Sequence, residues 1–105
     1  MRLRLTSIAL IAMSTAARAE GVDLSYENFR RTPSGSIEIV LKFTNNTGTP
    51  LRHISAECAM LGKDKKAITV ITVAVSNVPP GGVAYGKNYA IPGDGIENAQ
   101  CRVDN

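Results

Sequence analysis

The residues able to do chemistry in this chain are few and scattered. His53 is the one histidine, so a Ser-His-Asp or Cys-His arrangement would have to be built on it. It follows Pro50 and Arg52 at the start of an alternating segment, a solvent-facing position. Cys58 and Cys101 are the two cysteines. Thiolate nucleophiles sit in exposed electropositive surroundings, whereas Cys58 falls on the apolar phase of its segment. Met60 lies seven residues from His53, an odd offset that sends the two to opposite faces of a strand. No copper-type methionine and histidine cluster forms from them. Two cysteines and one histidine are too few for a closed zinc site. Asp94, Glu97 and Asp104 lack the spacing of a calcium loop. Glu27, Glu38 and Glu57 read as solvent-face strand residues rather than paired hydrolytic carboxylates. Gly81-Gly82 and Gly93-Asp94-Gly95 are turns, with no strand-to-helix context that would make them phosphate cradles. No cofactor, metal or catalytic set is expected.

The first segment says where such a chain goes. Arg2 and Arg4 precede the apolar run Ile8 to Met13, and Ala17-Arg18-Ala19 is an A-x-A cleavage site. Residues 1–19 therefore read as a signal peptide, with a mature start at Glu20. A membrane span is too long a structure for this run, which Arg18 interrupts. The chain has 105 residues, 12 basic and 9 acidic, with a formal net charge of +3. Arg2, Arg4 and Arg18 all lie in the leader, so nine basic side chains balance nine acidic ones after it. No electrostatic case for nucleic acid or anionic membrane survives this removal. Export also favours a disulfide between Cys58 and Cys101 over two reduced core thiols. A domain of residues 20–105 has a modest core and gains from such a staple.

After Glu20 the sequence alternates with period two and breaks at turn residues. Asp23 to Arg31 is a weak first strand. Ser36 to Asn45 is the clearest, with Ile37, Ile39, Leu41 and Phe43 in phase. Leu51 to Leu61 follows, with Ile54, Ala56, Cys58 and Met60 on one face. The charged loop Gly62 to Lys66 leads into Ala67 to Val75, β-branched on both faces. Asn77 to Gly82 is a stop. Val83 to Ile91 has Val83, Tyr85, Tyr89 and Ile91 in phase, and Ile96 to Asp104 is last. Six short strands predict an all-β, immunoglobulin-like antiparallel sandwich, with a small barrel as the alternative closure. In that order the third and sixth strands share a sheet, Cys58 and Cys101 face each other, and the first, second and fifth strands form the other sheet. The loops at Asn45 to Pro50, Asn77 to Gly82 and Ile91 to Asn98 are candidate recognition surfaces.

The run from Phe43 to Leu51 with its Asn45-Asn46-Thr47-Gly48-Thr49-Pro50 turn, the Gly62-Lys63-Asp64-Lys65 hairpin and Val78-Pro79-Pro80-Gly81-Gly82 together resemble the FxLYD-type group of bacterial exported domains. The resemblance spans about Ser36 to Tyr89 by pattern. It implies an immunoglobulin-like fold and a periplasmic or secreted setting, and supplies no catalytic residue. The ending Cys101-Arg102-Val103-Asp104 departs from that group's tyrosine-aspartate pattern.

One segment bears on partners. Ile68 to Val75 carries neither charge nor proline, and the fourth strand lies at a sheet edge. Ile68, Val70, Ile71, Val73 and Val75 form a candidate interaction edge open to strand addition or self-association. The alternative is that the Lys63 hairpin and the first strand bury both its faces. The functional expectation is a non-enzymatic binding or structural module of the bacterial cell envelope. A small secreted hydrolase using His53, or a hydrolase inhibitor presenting Val78-Pro79-Pro80-Gly81, is the alternative.

Overall fold

The computed structural model describes residues 15–19 and 21–104. Its strands are β1 (Thr15–Ala19), β2 (Val22–Arg31), β3 (Ile37–Asn45), β4 (Leu51–Leu61), β5 (Ala67–Val78), β6 (Val83–Ala90) and β7 (Asn98–Val103). They form two antiparallel sheets, β1-β2-β3-β6 and β5-β4-β7. From β2 onward this is the expected immunoglobulin-like partition, with six strands in a sandwich. The described part of the expected leader, Thr15–Ala19, pairs with β2. Arg2, Arg4, the Ile8 to Met13 run and the proposed start at Glu20 lie outside the described residues.

The core follows from alternation in β3 and β4. Ile37, Ile39, Leu41 and Phe43 meet Ile54, Ala56, Cys58 and Met60 across the two sheets, all buried. β2 contributes Val22 and Leu24 to that core. A bulge between Tyr26 and Asn28 then shifts its register, which accounts for the mixed faces of its sequence. β5 runs three residues further than its pattern predicts, to a buried Val78. Asn77 takes a positive φ of 55° beside it. β7 is shorter than expected, and Ile96 is buried in the preceding turn instead of in a strand.

The large residues of β6 share one phase, as the sequence predicts, and that phase is the outer one. Val83, Tyr85 and Tyr89 point outward and are exposed, and Ile91 lies past the strand end at 79% exposure. Ala84, Gly86 and Ala90 face inward instead. The cause is the narrow gap between sheets here. A Cβ built on Gly86 would stand 2.8 Å from Val73 Cγ1 and 3.1 Å from both the Ala74 carbonyl oxygen and Val75 Cγ1. Only small side chains fit between β6 and β5, so the large ones take the outer face.

Cys58 and Cys101 are directly opposed in the β4–β7 register and joined by a disulfide, with Cα atoms 4.0 Å apart. Such a separation belongs to the closer, non-hydrogen-bonded type of antiparallel pair.

Candidate functional site

In an antiparallel strand, alternate residues turn both their N–H and C=O toward one neighbour or the other. The Asp104 N–H donates to the Ser55 carbonyl and the Glu97 N–H to the Leu61 carbonyl. Odd-numbered β4 residues therefore address the β7 side, and the even-numbered ones address β5. Cys58 faces Ile71, Ala56 faces Val73 and Ile54 faces Val75. It follows that Ile71, Val73 and Val75 spend their backbone groups on β4. Val70 and Thr72 turn theirs to the open edge.

That edge is sealed at one end and open at the other. The Asn88 Nδ2 of β6 donates to the Thr72 carbonyl at 2.7 Å, and the next residues lie against Gly86. Among the described residues nothing bonds the Val70 N–H or C=O on this side. Val70 and Ile68 are 54% and 50% exposed. The candidate edge thus divides. Val73 and Val75 are core residues, a correction to their reading as interaction residues, because the inward phase of β5 packs against β6 where the sheets converge. Ile71 is half-buried, and Ile68 and Val70 remain as an uncharged aliphatic edge.

The opposite edge of the same sheet is handled differently. Tyr26 reaches over from β2, accepts from the Cys101 N–H at 2.9 Å and donates to the Ala99 carbonyl at 3.4 Å. One phenol thereby takes the place of an adjoining strand. Burial raises the Tyr26 pKa above its ordinary value, and the Cys101 N–H works against that shift. Neither Tyr26 nor Asn88 stands out in the sequence, since each acts through a register that only the assembled sheets define.

The outer face of the other sheet carries one well-organised charge. Glu38 is buried although it points away from the core. Its Oε1 accepts from Arg30 Nε at 2.8 Å and Asn28 Nδ2 at 3.2 Å, and its Oε2 from the Tyr89 hydroxyl at 3.1 Å. The Arg30 bond holds its carboxyl below the usual range against the effect of burial, with Tyr89 and the charges of Arg30 and Lys87 adding to the lowering. This carboxylate has its hydrogen-bonding capacity used locally, so it organises the surface around it.

The remaining candidates are dispersed. His53 is exposed on the outer face of β4, in register with Ser76, while Met60 is in the core. Glu57 bonds Arg102 at 3.3 Å. Among the described residues no three His, Cys, Asp or Glu side chains gather as a metal site. Among them no helix is long and apolar enough to cross a membrane. The Asn45 side chain is fully buried and fully used. Its Nδ2 donates to the Thr49 and Val78 carbonyls, and its Oδ1 accepts from the Thr47 N–H and hydroxyl. Asn45 thereby joins two of the expected recognition loops, Asn45 to Pro50 and Asn77 to Gly82. Gly81 donates to the Asn45 carbonyl as well, tying the Pro79-Pro80 turn down. The third loop, Ile91 to Asn98, is held by Arg31, which donates to the Gly93 and Ile96 carbonyls, each at 3.0 Å.

No family model matches the chain, and no curated protein matches it. Among solved structures it is similar to IrmA from Escherichia coli, with a TM-score of 0.57 over 76% of this chain and 74% of that one, at 3% sequence identity. At that identity the likeness is one of fold.

Proposed function

We propose that this protein is an exported, non-enzymatic binding module of the bacterial cell envelope that takes its partner as an added strand along β5. The observation that carries this reading is the Val70 N–H and C=O, unbonded on the outer side among the described residues, beside the exposed Ile68 and Val70 side chains and the Asn88 seal. Strand addition draws affinity from backbone bonds and specificity from alternate side chains. β5 offers both, and it carries no charge that would deter pairing. The leader-like N-terminus, the Cys58–Cys101 bridge and the resemblance to exported domains support the envelope setting.

Site-specific photo-crosslinking tests it. The photoreactive residue benzoylphenylalanine is placed at Ile68, or at the exposed turn residue Ser34 as a control, in full-length protein expressed in a bacterial host. Covalent adducts from position 68 and none from 34 are expected, in a protein whose N-terminus begins at Glu20. Equal labelling from both positions, or none from 68, refutes the edge as the binding element.

A further inference from the structure

We propose that removal of the leader opens a second strand-accepting edge, on β2, and that its occupant is an extended segment of another polypeptide with small residues on either side of a cation. The inference rests on the cleavage expected after Ala19 and is independent of the β5 edge.

The backbone of β2 fixes which groups are opened. Asn45 exchanges backbone bonds with Gly81 and Gly82, so odd-numbered β3 residues address β6 and the even-numbered ones address β2. Thr44 and Lys42 are in register with Asp23 and Ser25, and the Asn46 N–H donates to the Gly21 carbonyl. Asp23 and Ser25 therefore spend their backbone groups on β3. Val22 and Leu24 turn theirs to β1, in register with Ala19 and Ala17. Two residues join Ala19 to Val22, one of them Gly21 with a positive φ of 82°. Cleavage after Ala19 cuts this connection and leaves β1 with no covalent tie to the domain. The N–H and C=O of Val22 and of Leu24 then lose their partners, and among the described residues no other strand pairs with that side of β2. Such an edge is a template for strand addition.

The strand seated there shows what the edge takes. β1 lies against β7 as well as β2, so an occupant runs along the seam between the two sheets. The register sets Ala17 and Ala19 on the phase of Leu24 and Val22, which are buried, and Arg18 on the opposite phase, across from Asp23. Glu27 follows on the same strand and is exposed. The edge is thus complementary to small residues at alternate positions with a positive charge between them. A second copy does not meet this demand. Pairing two β2 edges through Val22 and Leu24 sets Asp23 against Asp23, a like-charge pair, and a β5 strand brings no cation to it.

Two proteins test the proposal: the exported protein, and a chain beginning at Thr15 that keeps β1. The exported protein should begin at Glu20 by mass spectrometry. Its Val22 and Leu24 amides should exchange at least tenfold faster than the same amides of the longer chain. The Asp23 and Ser25 amides, bonded to β3, should stay protected in both, which establishes that both are folded. The peptide Ser14–Ala19, amidated at its C-terminus and supplied at about 1 mM, should restore slow exchange at Val22 and Leu24 in the exported protein. Peptides with Ala17→Pro or Arg18→Glu should not, the first lacking the N–H that faces Leu24 and the second setting an acid against Asp23. Equal exchange in the two proteins, no protection by the parent peptide, or equal protection by all three peptides overturns the proposal and leaves the export and β5 readings intact. An exported protein that still carries Thr15–Ala19 overturns it together with the cleavage on which it rests.

Discussion

Removing the Cys58–Cys101 bridge is the perturbation whose size the structure fixes best. The two cysteines are 43 residues apart, so the bond closes a long loop in the unfolded chain. In the chain-entropy description, such a loop is worth about 4 kcal/mol. Both sulfurs are buried, Cys58 completely, so Cys58→Ala with Cys101→Ala adds about 1 kcal/mol for the space left behind. Small domains have about 5–15 kcal/mol in total, so the double variant loses a third or more of its stability. At about 4–8 °C per kcal/mol the thermal midpoint should fall by roughly 20 °C or more. Urea unfolding followed by circular dichroism measures the loss. Amide exchange should rise first in β7, which the bridge fastens at the end of its sheet. A loss under about 1 kcal/mol, with β7 amides still protected, would refute the bridge as the staple of the fold.

Tyr26→Phe strands the buried Cys101 N–H, at a cost of about 1–3 kcal/mol in urea unfolding. Because the Tyr26 pKa is raised, its contribution is complete below the ordinary tyrosine range and fades as pH rises through the raised value. The variant should accordingly flatten the alkaline limb of the stability profile. Gly86→Val fills the narrow gap beside Val73 and Val75 and should destabilise by about 1–3 kcal/mol, measured by thermal unfolding. Glu38 has a lowered pKa, so its contribution is present above the ordinary glutamate range and is lost as pH falls through the lowered value. Unfolding of Glu38→Gln should therefore depend less on pH in acid than that of the parent. Equal acid limbs would show that the Arg30 pairing does not couple to stability.

What the sequence discloses and what it hides divide along physical lines. The faces of β3 and β4 are legible because each has one buried side, which forces period-two alternation. They give the inward phase of Cys58, while the sheet partition, the β5 edge and the facing cysteines follow from the immunoglobulin-like strand order. The shared phase of the large β6 residues is legible, but which way it turns is decided by space rather than by polarity. The neighbouring sheet comes so close at Gly86 that the large residues Val83, Tyr85 and Tyr89 must turn outward. The β5 edge is legible as an edge but not residue by residue. Which of Ile68, Val70, Val73 and Val75 is open depends on where β6 meets it. The burial of Glu38 depends on aligning three strands past the Tyr26/Asn28 bulge, which brings Arg30 and Tyr89 to its carboxylate. No single segment contains that information. Asn45 reads as a turn residue and proves to be a buried clip between two loops.

The openness of the β5 edge is tested most directly by hydrogen exchange at single amides of the exported protein in dilute solution. The Val70 amide should exchange nearly as fast as in an unfolded peptide, while its neighbours Ile71 and Val73, bonded into the β4 ladder, exchange slowly. A Val70 amide protected to the same degree as Ile71 under dilute conditions would mean that the edge is already occupied within one chain, and no partner strand could then add to it.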